Sequence, residues 1–224
     1  MSVDGARLDA MATPVSFDNR FFSAVWSAIA RREPPAIKEL RAENLRGLTG
    51  HVLEVGAGIG SNFPLYPDTV TSVTALEPES RLRPQAEDAA AAASIPVTVT
   101  AGVFEDLAVT GEDRFDAVVC SLVLCSVGDP DRAAAQAFEV LKPGGEVRFF
   151  EHVAHGGALG LVQRAVDVTF WPRLFGNCHT HRDTLAAIER AGFEIEGQRD
   201  DWLKVFGVPM PSSSIVIGRA VKPA

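Results

Sequence analysis

Cysteine is scarce in these 224 residues: Cys120, Cys125 and Cys178 are the three, and no two stand in a CxxC spacing. That excludes a disulfide framework and fits reduced thiols in a cytoplasmic protein. Basic residues are outnumbered, 21 Lys and Arg against 29 Asp and Glu, for a net charge of -8. Non-specific nucleic-acid binding, which works by neutralising phosphates, is therefore not expected. Long apolar runs are missing too, since "FFSAVWSAIA" ends at Arg31, short of the roughly 18 apolar residues of a membrane span. The opening "MSVDGARLDAMATP" carries no charged-then-apolar leader, so stable membrane insertion is not expected either. What remains is 46% hydrophobic, enough for one sizeable core.

Two helices are predicted first. Phe21, Phe22, Val25, Trp26 and Ile29 recur at helical spacing within 17–30, and "EPPAIKELRAENLRGL" opens with prolines and nears its end at Gly47. Residues 1–46 thus form a helical extension, and 47–224 a second unit in which strands alternate with helices. Apolar runs at 51–55, 70–77, 97–102, 115–122 and 146–153 read as strands, with helix-like stretches at 80–92 and 131–141. Runs apolar on both faces suit central parallel strands covered on both sides. Near the end, "DTLAAIERAGFEIEGQRDDW" reads as a helix and a strand, and "SSSIVIGRA" as a further strand after a Pro-rich turn. The expectation is a doubly wound α/β fold, a mostly parallel seven-stranded sheet with one reversed strand.

The chemistry starts at "LEVGAGIG". Gly56, Gly58 and Gly60 follow a strand, where missing side chains let a ligand lie against backbone. A dinucleotide fingerprint needs its third glycine at 61, but Ser61 stands there. Glu54 would repel a pyrophosphate and attract a cation, as S-adenosylmethionine is. Glu77, at the end of the second strand, suits two ribose hydroxyls; nicotinamide enzymes use that position as well.

Five stretches in order carry a resemblance: "LEVGAGIG", "ALEPE", "AGVFEDLA", "FDAVVCSLVLCSV" and "VLKPGGEVRFFEHV". Together they resemble the class I S-adenosylmethionine-dependent methyltransferases. The resemblance implies that Glu54, Gly56, Ala57, Gly58, Gly60, Asn62, Glu77, Pro78, Val103, Phe104, Glu105, Ser121 and Leu122 hold the cofactor. Many relatives have an acidic residue where Val103 stands, so the adenine is left to backbone around Phe104 or to Glu105. "GSNFPLYP", "CSLVLCSV", "FFEHV" and "FGNCHTHRDT" are similar to a subgroup that includes the mammalian methyltransferase-like thiol methyltransferases. Bacterial small-molecule methyltransferases are similar as well.

A thiol is therefore the favoured acceptor, with oxygen or nitrogen of a metabolite as the alternative and a non-catalytic cofactor-binding protein as the rival from another class. His152, at the carboxyl edge of the fifth strand, is the catalytic candidate, because an imidazole there raises the reactive thiolate fraction. Phe22, Trp26, Cys125, Trp171, Phe175, Cys178, His179 and Trp202 are expected to line a small, apolar acceptor site. Cys178, His179, His181 and Asp183 cluster in "NCHTHRD" without a recognised zinc spacing, and Asp183 reads as a helix cap. No metal is expected there. Arg182 is expected to neutralise a substrate, or to pair with Asp183 or Glu189.

Overall fold

The computed structural model describes residues 19–104, 107, 114–205 and 208–224. Glu105, named above, and the start of the first helix lie outside them. Seven strands, β1 Gly50–Val55, β2 Val70–Leu76, β3 Val97–Thr100, β4 Phe115–Ser121, β5 Leu141–His152, β6 Glu194–Val205 and β7 Val208–Val221, form one sheet in the order β3-β2-β1-β4-β5-β7-β6. β7 runs antiparallel to both of its neighbours, and the other pairs are parallel. The reversed strand and the terminal β6–β7 pair are as expected.

Alternation along the central strands divides the core. Leu53 and Val55 of β1, with Val118 and Cys120 of β4, face a layer containing α4 (Pro130–Val140) and α7 (Thr184–Arg190). Val52, Ala117 and Val119 face the opposite layer, built on α3 (Arg83–Ala91), Phe63 and Tyr66. Each fully buried leucine or phenylalanine stabilises the fold by about 2–3 kcal/mol. The second helix of the extension, α2 (Pro35–Leu45), adds Leu40 to a cluster with Phe150, Ile215 and Ile217.

Helix ends follow their caps. Asn19 Oδ1 accepts the Phe22 N–H to start α1 (Arg20–Ala30), and Asp129 accepts from Asp131 and Arg132 with Pro130 at the first position of α4. Asp183 accepts the Ala186 N–H at 3.1 Å, so it caps α7 as its spacing predicts.

Two placements differ from the sequence reading. The stretch after β5 is not loop but α5 (Gly157–Asp167) and α6 (Trp171–Leu174). Gly156, Gly157 and Gly160 weaken its intrinsic helicity, and tertiary contacts supply the remainder. The fully buried Gln163 side chain accepts from His155 N–H and donates to the carbonyls of Val153 and Pro211. The proline-rich turn is the first part of β7, and Trp202 lies within β6. β7 pairs with β5 only from Ile215 onward, so Pro209 and Pro211 stay out of that ladder, and Pro209 is partnered on one side alone, by Lys204 of β6.

Candidate active site

In an open parallel sheet the ligand crevice lies at the carboxyl ends of the strands where the winding reverses. Here that point falls between β1 and β4, and a cavity of about 830 Å³ opens there. Gly56, Gly58, Glu77, Pro78, Val103, Phe104, Ser121 and Leu122 line one part of it. His152, Cys178, Trp171 and Phe175 line another, and Phe22 and Trp26 of α1 close over it.

The glycine loop is held open by force of geometry. Gly56 has φ +66°, and a Cβ there would meet Val123 Cγ2 at 2.5 Å. Gly58 has φ +61° and lies under the Trp26 indole, whose Nε1 would be 2.9 Å from a Cβ. Glu77 ties the loop down: one oxygen accepts the Gly58 N–H at 2.6 Å and the other the Glu79 N–H at 2.8 Å. Burial pushes the Glu77 carboxyl up to about 7, against those two N–H donors.

That value has a consequence for binding. Ribose hydroxyls donate best to a carboxylate, so the cofactor prefers deprotonated Glu77. Affinity for S-adenosylhomocysteine is expected to rise about tenfold from pH 6 to pH 8 and to level off above 7. The same shift has the opposite sign for folding. The protonated form is favoured in the folded chain, so this contribution to stability falls as pH rises from about 4.5 to about 7. Calorimetric titration at three pH values checks the first expectation.

Glu54 sits behind the cavity wall. Its carboxylate accepts from Asn62 Nδ2 at 3.0 Å and Tyr66 Oη at 2.8 Å, and burial lifts it to about 7. Asn62 also donates to Ser121 Oγ at 3.2 Å and accepts from Arg41, itself paired with Glu33. Glu54 and Asn62 thereby fix Ser121 rather than reach the cavity surface. Ala57 and Gly60 lie in the same second layer; a Cβ on Gly60 would meet Ala89 and Phe63 at 2.7 Å.

On the other side, Glu151 is the residue the sequence reading passed over. It is fully buried and accepts the backbone N–H groups of Val123, Leu124 and Cys125 at 2.9, 2.9 and 3.2 Å. This sets the turn after β4, including Leu122 at φ +59°. Replacing Glu151 with alanine leaves three buried donors unmet, so Glu151→Ala is expected to cost about 3 kcal/mol or more in urea unfolding. The legible signal was only its place beside His152 on an apolar strand, which a buried acid shares with many surface ones.

The turn is clamped from outside too. His179 N–H donates to the Cys125 carbonyl at 2.8 Å, Asn177 Nδ2 to that of Ser126, and Arg182 to those of Leu124 and Val127. Arg182 thus holds backbone and pairs with neither Asp183 nor Glu189. Asp167 at the end of α5 accepts from Thr180 and His181, anchoring the segment that carries Cys178. Of the expected acceptor residues, Cys125 is buried behind the wall, His179 acts through its backbone, and Trp202 packs edge-on against His155.

His152 Nδ1 lies 3.6 Å from Cys125 Sγ and 3.5 Å from Cys178 Sγ. Burial disfavours the imidazolium, but Cys125 and Glu151 outweigh it and raise the His152 pKa. The Trp171 indole N–H is buried with no hydrogen-bond partner among the described residues, a donor left for a ligand.

A family model described as a methyltransferase domain matches residues 53–149. The fold, the glycine loop and Glu77 agree with it: the chain belongs to the class I S-adenosylmethionine-dependent methyltransferases, and S-adenosylmethionine is its cofactor. Within that class it is similar to the human thiol S-methyltransferase TMT1B, 31% identical over 217 residues that cover 90% of this chain and 85% of the relative. Human thiol S-methyltransferase TMT1A is 32% identical over 184 residues, covering 77% and 74%. Among solved structures, N-methyltransferase NodS from Bradyrhizobium japonicum, in complex with S-adenosyl-L-homocysteine, shares the fold with a TM-score of 0.67 at 14% identity, covering 92% of this chain and 100% of that one.

Proposed function

We propose that this methyltransferase transfers the methyl group to the sulfur of a small, apolar thiol. The observation that carries this reading is the far end of the cavity, where His152 and Cys178 sit among Trp171, Phe175 and Met210. An alcohol acceptor needs a strong base, and the lining carboxylates are engaged elsewhere. Glu77 and Glu79 hold backbone N–H groups, and Asp129 caps α4. A thiol needs only to become a thiolate, with an ordinary pKa of about 8.5, beside positive charge. Similarity to two thiol S-methyltransferases supports the same choice.

On this reading, Gly56, Gly58, Glu77 and the Val103–Phe104 turn hold the cofactor, and α1 covers it through Phe22 and Trp26. Asn19 N–H donates to Glu79 at 2.7 Å and Gln85 to Ser27, which fastens that cover at both ends. Residues 19–46, the described part of the 1–46 extension, serve as a cap on a 47–224 catalytic unit. Among the described residues no helix is long and apolar enough to cross a membrane, and all three cysteines are free. Both features agree with work in the cytoplasm. The test is turnover of a thiol, an alcohol and an amine built on one small aromatic skeleton. The thiol is expected to be methylated at least about 100-fold faster; equal or preferred transfer to oxygen or nitrogen overturns the reading.

A further inference from the structure

The Cys125, His152 and Cys178 side chains converge from three separate elements: the turn after β4, the end of β5 and the loop after α6. Their ligand atoms form a triangle with sides of 3.8 Å between the sulfurs and 3.6 and 3.5 Å from each sulfur to His152 Nδ1. A tetrahedral zinc ion, with Zn–S about 2.3 Å and Zn–N about 2.05 Å, sets its ligands about 3.8 Å apart for two sulfurs and about 3.6 Å for sulfur and nitrogen. The triangle is therefore already the face of a zinc tetrahedron. The geometry points to a zinc site made of Cys125 Sγ, Cys178 Sγ and His152 Nδ1, whose fourth position takes the acceptor thiol.

Placement supports that role. Cys178 and His152 line the cavity while Cys125 lies behind them, so an ion on the triangle has the cavity on its open side. The ligands are held in advance: Glu151 and the His179 N–H grip the Cys125 backbone, and Cys178 N–H donates to the Phe175 carbonyl. Two thiolates and a neutral imidazole are ligands that suit zinc. Three protein ligands with one position left for substrate are the pattern of a catalytic rather than a structural site. No regular motif in the sequence shows this set, because its members are separated by 27 and 26 residues.

The inference deepens the thiol reading and rests on it. A thiol bound to zinc loses its proton outright to solvent. The two cysteine thiolates leave the ion without net charge, so the bound sulfur keeps its electron density. Its lone pair forms the new carbon–sulfur bond as the methyl–sulfonium bond breaks, and that electron pair returns to the sulfonium sulfur. The neutral thioether product is a poor ligand for zinc and leaves.

The test loads the full chain with cobalt(II) after chelation and reads its visible spectrum. Tetrahedral d–d bands and thiolate charge-transfer bands are expected, with one ion per chain. Cys125→Ser and Cys178→Ser should each weaken zinc binding by about 100-fold or more, while Cys120→Ala leaves it unchanged. S-adenosylhomocysteine binding in every variant serves as the check on folding. A small aromatic thiol, and not the alcohol of the same skeleton, should shift the cobalt bands. Absence of cobalt bands in the reduced chain, or bands untouched by the two serine variants, overturns the site. Bands that no thiol shifts overturn its role toward the acceptor. Thiol methylation at full rate in metal-free protein overturns the inference while leaving the thiol reading intact, and metal binding without any thiol turnover does the reverse.

Discussion

His152→Ala is expected to lower kcat/KM for thiol methylation about 1,000-fold while S-adenosylhomocysteine binds as before. The side chain is at the end of β5, beyond the glycine loop, and its polar neighbours are Cys125 and Cys178 rather than any residue that faces the cofactor end. Removing it takes away the imidazole at the acceptor end and leaves the two cysteines without their third neighbour. Effects of this size are ordinary when a group acting at the reacting atom is lost. The loss should appear in kcat rather than only in KM, because the imidazole sets how much of the bound acceptor is thiolate. Parallel loss of cofactor affinity would mean that His152 serves the fold instead. Raising the pH should recover part of the rate in the variant, since more of the thiol then ionises without help.

The second large effect is expected at Gly56. Gly56→Ala should weaken S-adenosylmethionine by about 100-fold or more, with a smaller loss of stability of about 1–2 kcal/mol. The added methyl points at Val123 Cγ2, 2.5 Å away, and Val123 cannot withdraw because its N–H is fixed to Glu151 at 2.9 Å. The loop must move instead, toward the space the cofactor takes. Gly144→Ala supplies the comparison. It has a similar left-handed φ of +74° but nothing within 4 Å of its Cβ, far from the cavity. Equal strain without the collision should lower stability and spare cofactor affinity. If both variants lose affinity alike, the account of the loop is wrong.

Much of this arrangement was legible because it is periodic or local. Strands apolar on both faces foretold a sheet covered on both sides, and the reversed last strand followed from two strand patterns with no helix between. The glycine loop and Glu77 could be read because close approach to backbone leaves few choices of residue. Glu54 was read as a contact to the cofactor, but the structure gives it to Asn62 and Tyr66. An acidic residue at a strand end carries no mark of which way its partners lie.

The helices α5 and α6 were missed for a different reason. Their stretch is rich in glycine and β-branched residues, and it folds because Gln163 and Asp167 find partners far along the chain. The same holds at the acceptor end. Cys125, His152 and Cys178, each expected on the acceptor side, become neighbours only when β4 and β5 pair and the loop after α6 folds back. His181 instead contacts Arg164, and His179 the Asn177 carbonyl.

The most direct measurement is a single-turnover competition with methyl-deuterated S-adenosylmethionine. The enzyme would be offered equal concentrations of a small apolar thiol and of the alcohol and amine with the same skeleton, and the products separated by mass. The account predicts the label on sulfur alone, with one equivalent of S-adenosylhomocysteine formed. Label on oxygen or nitrogen, or no transfer from a cofactor that is bound, would contradict it.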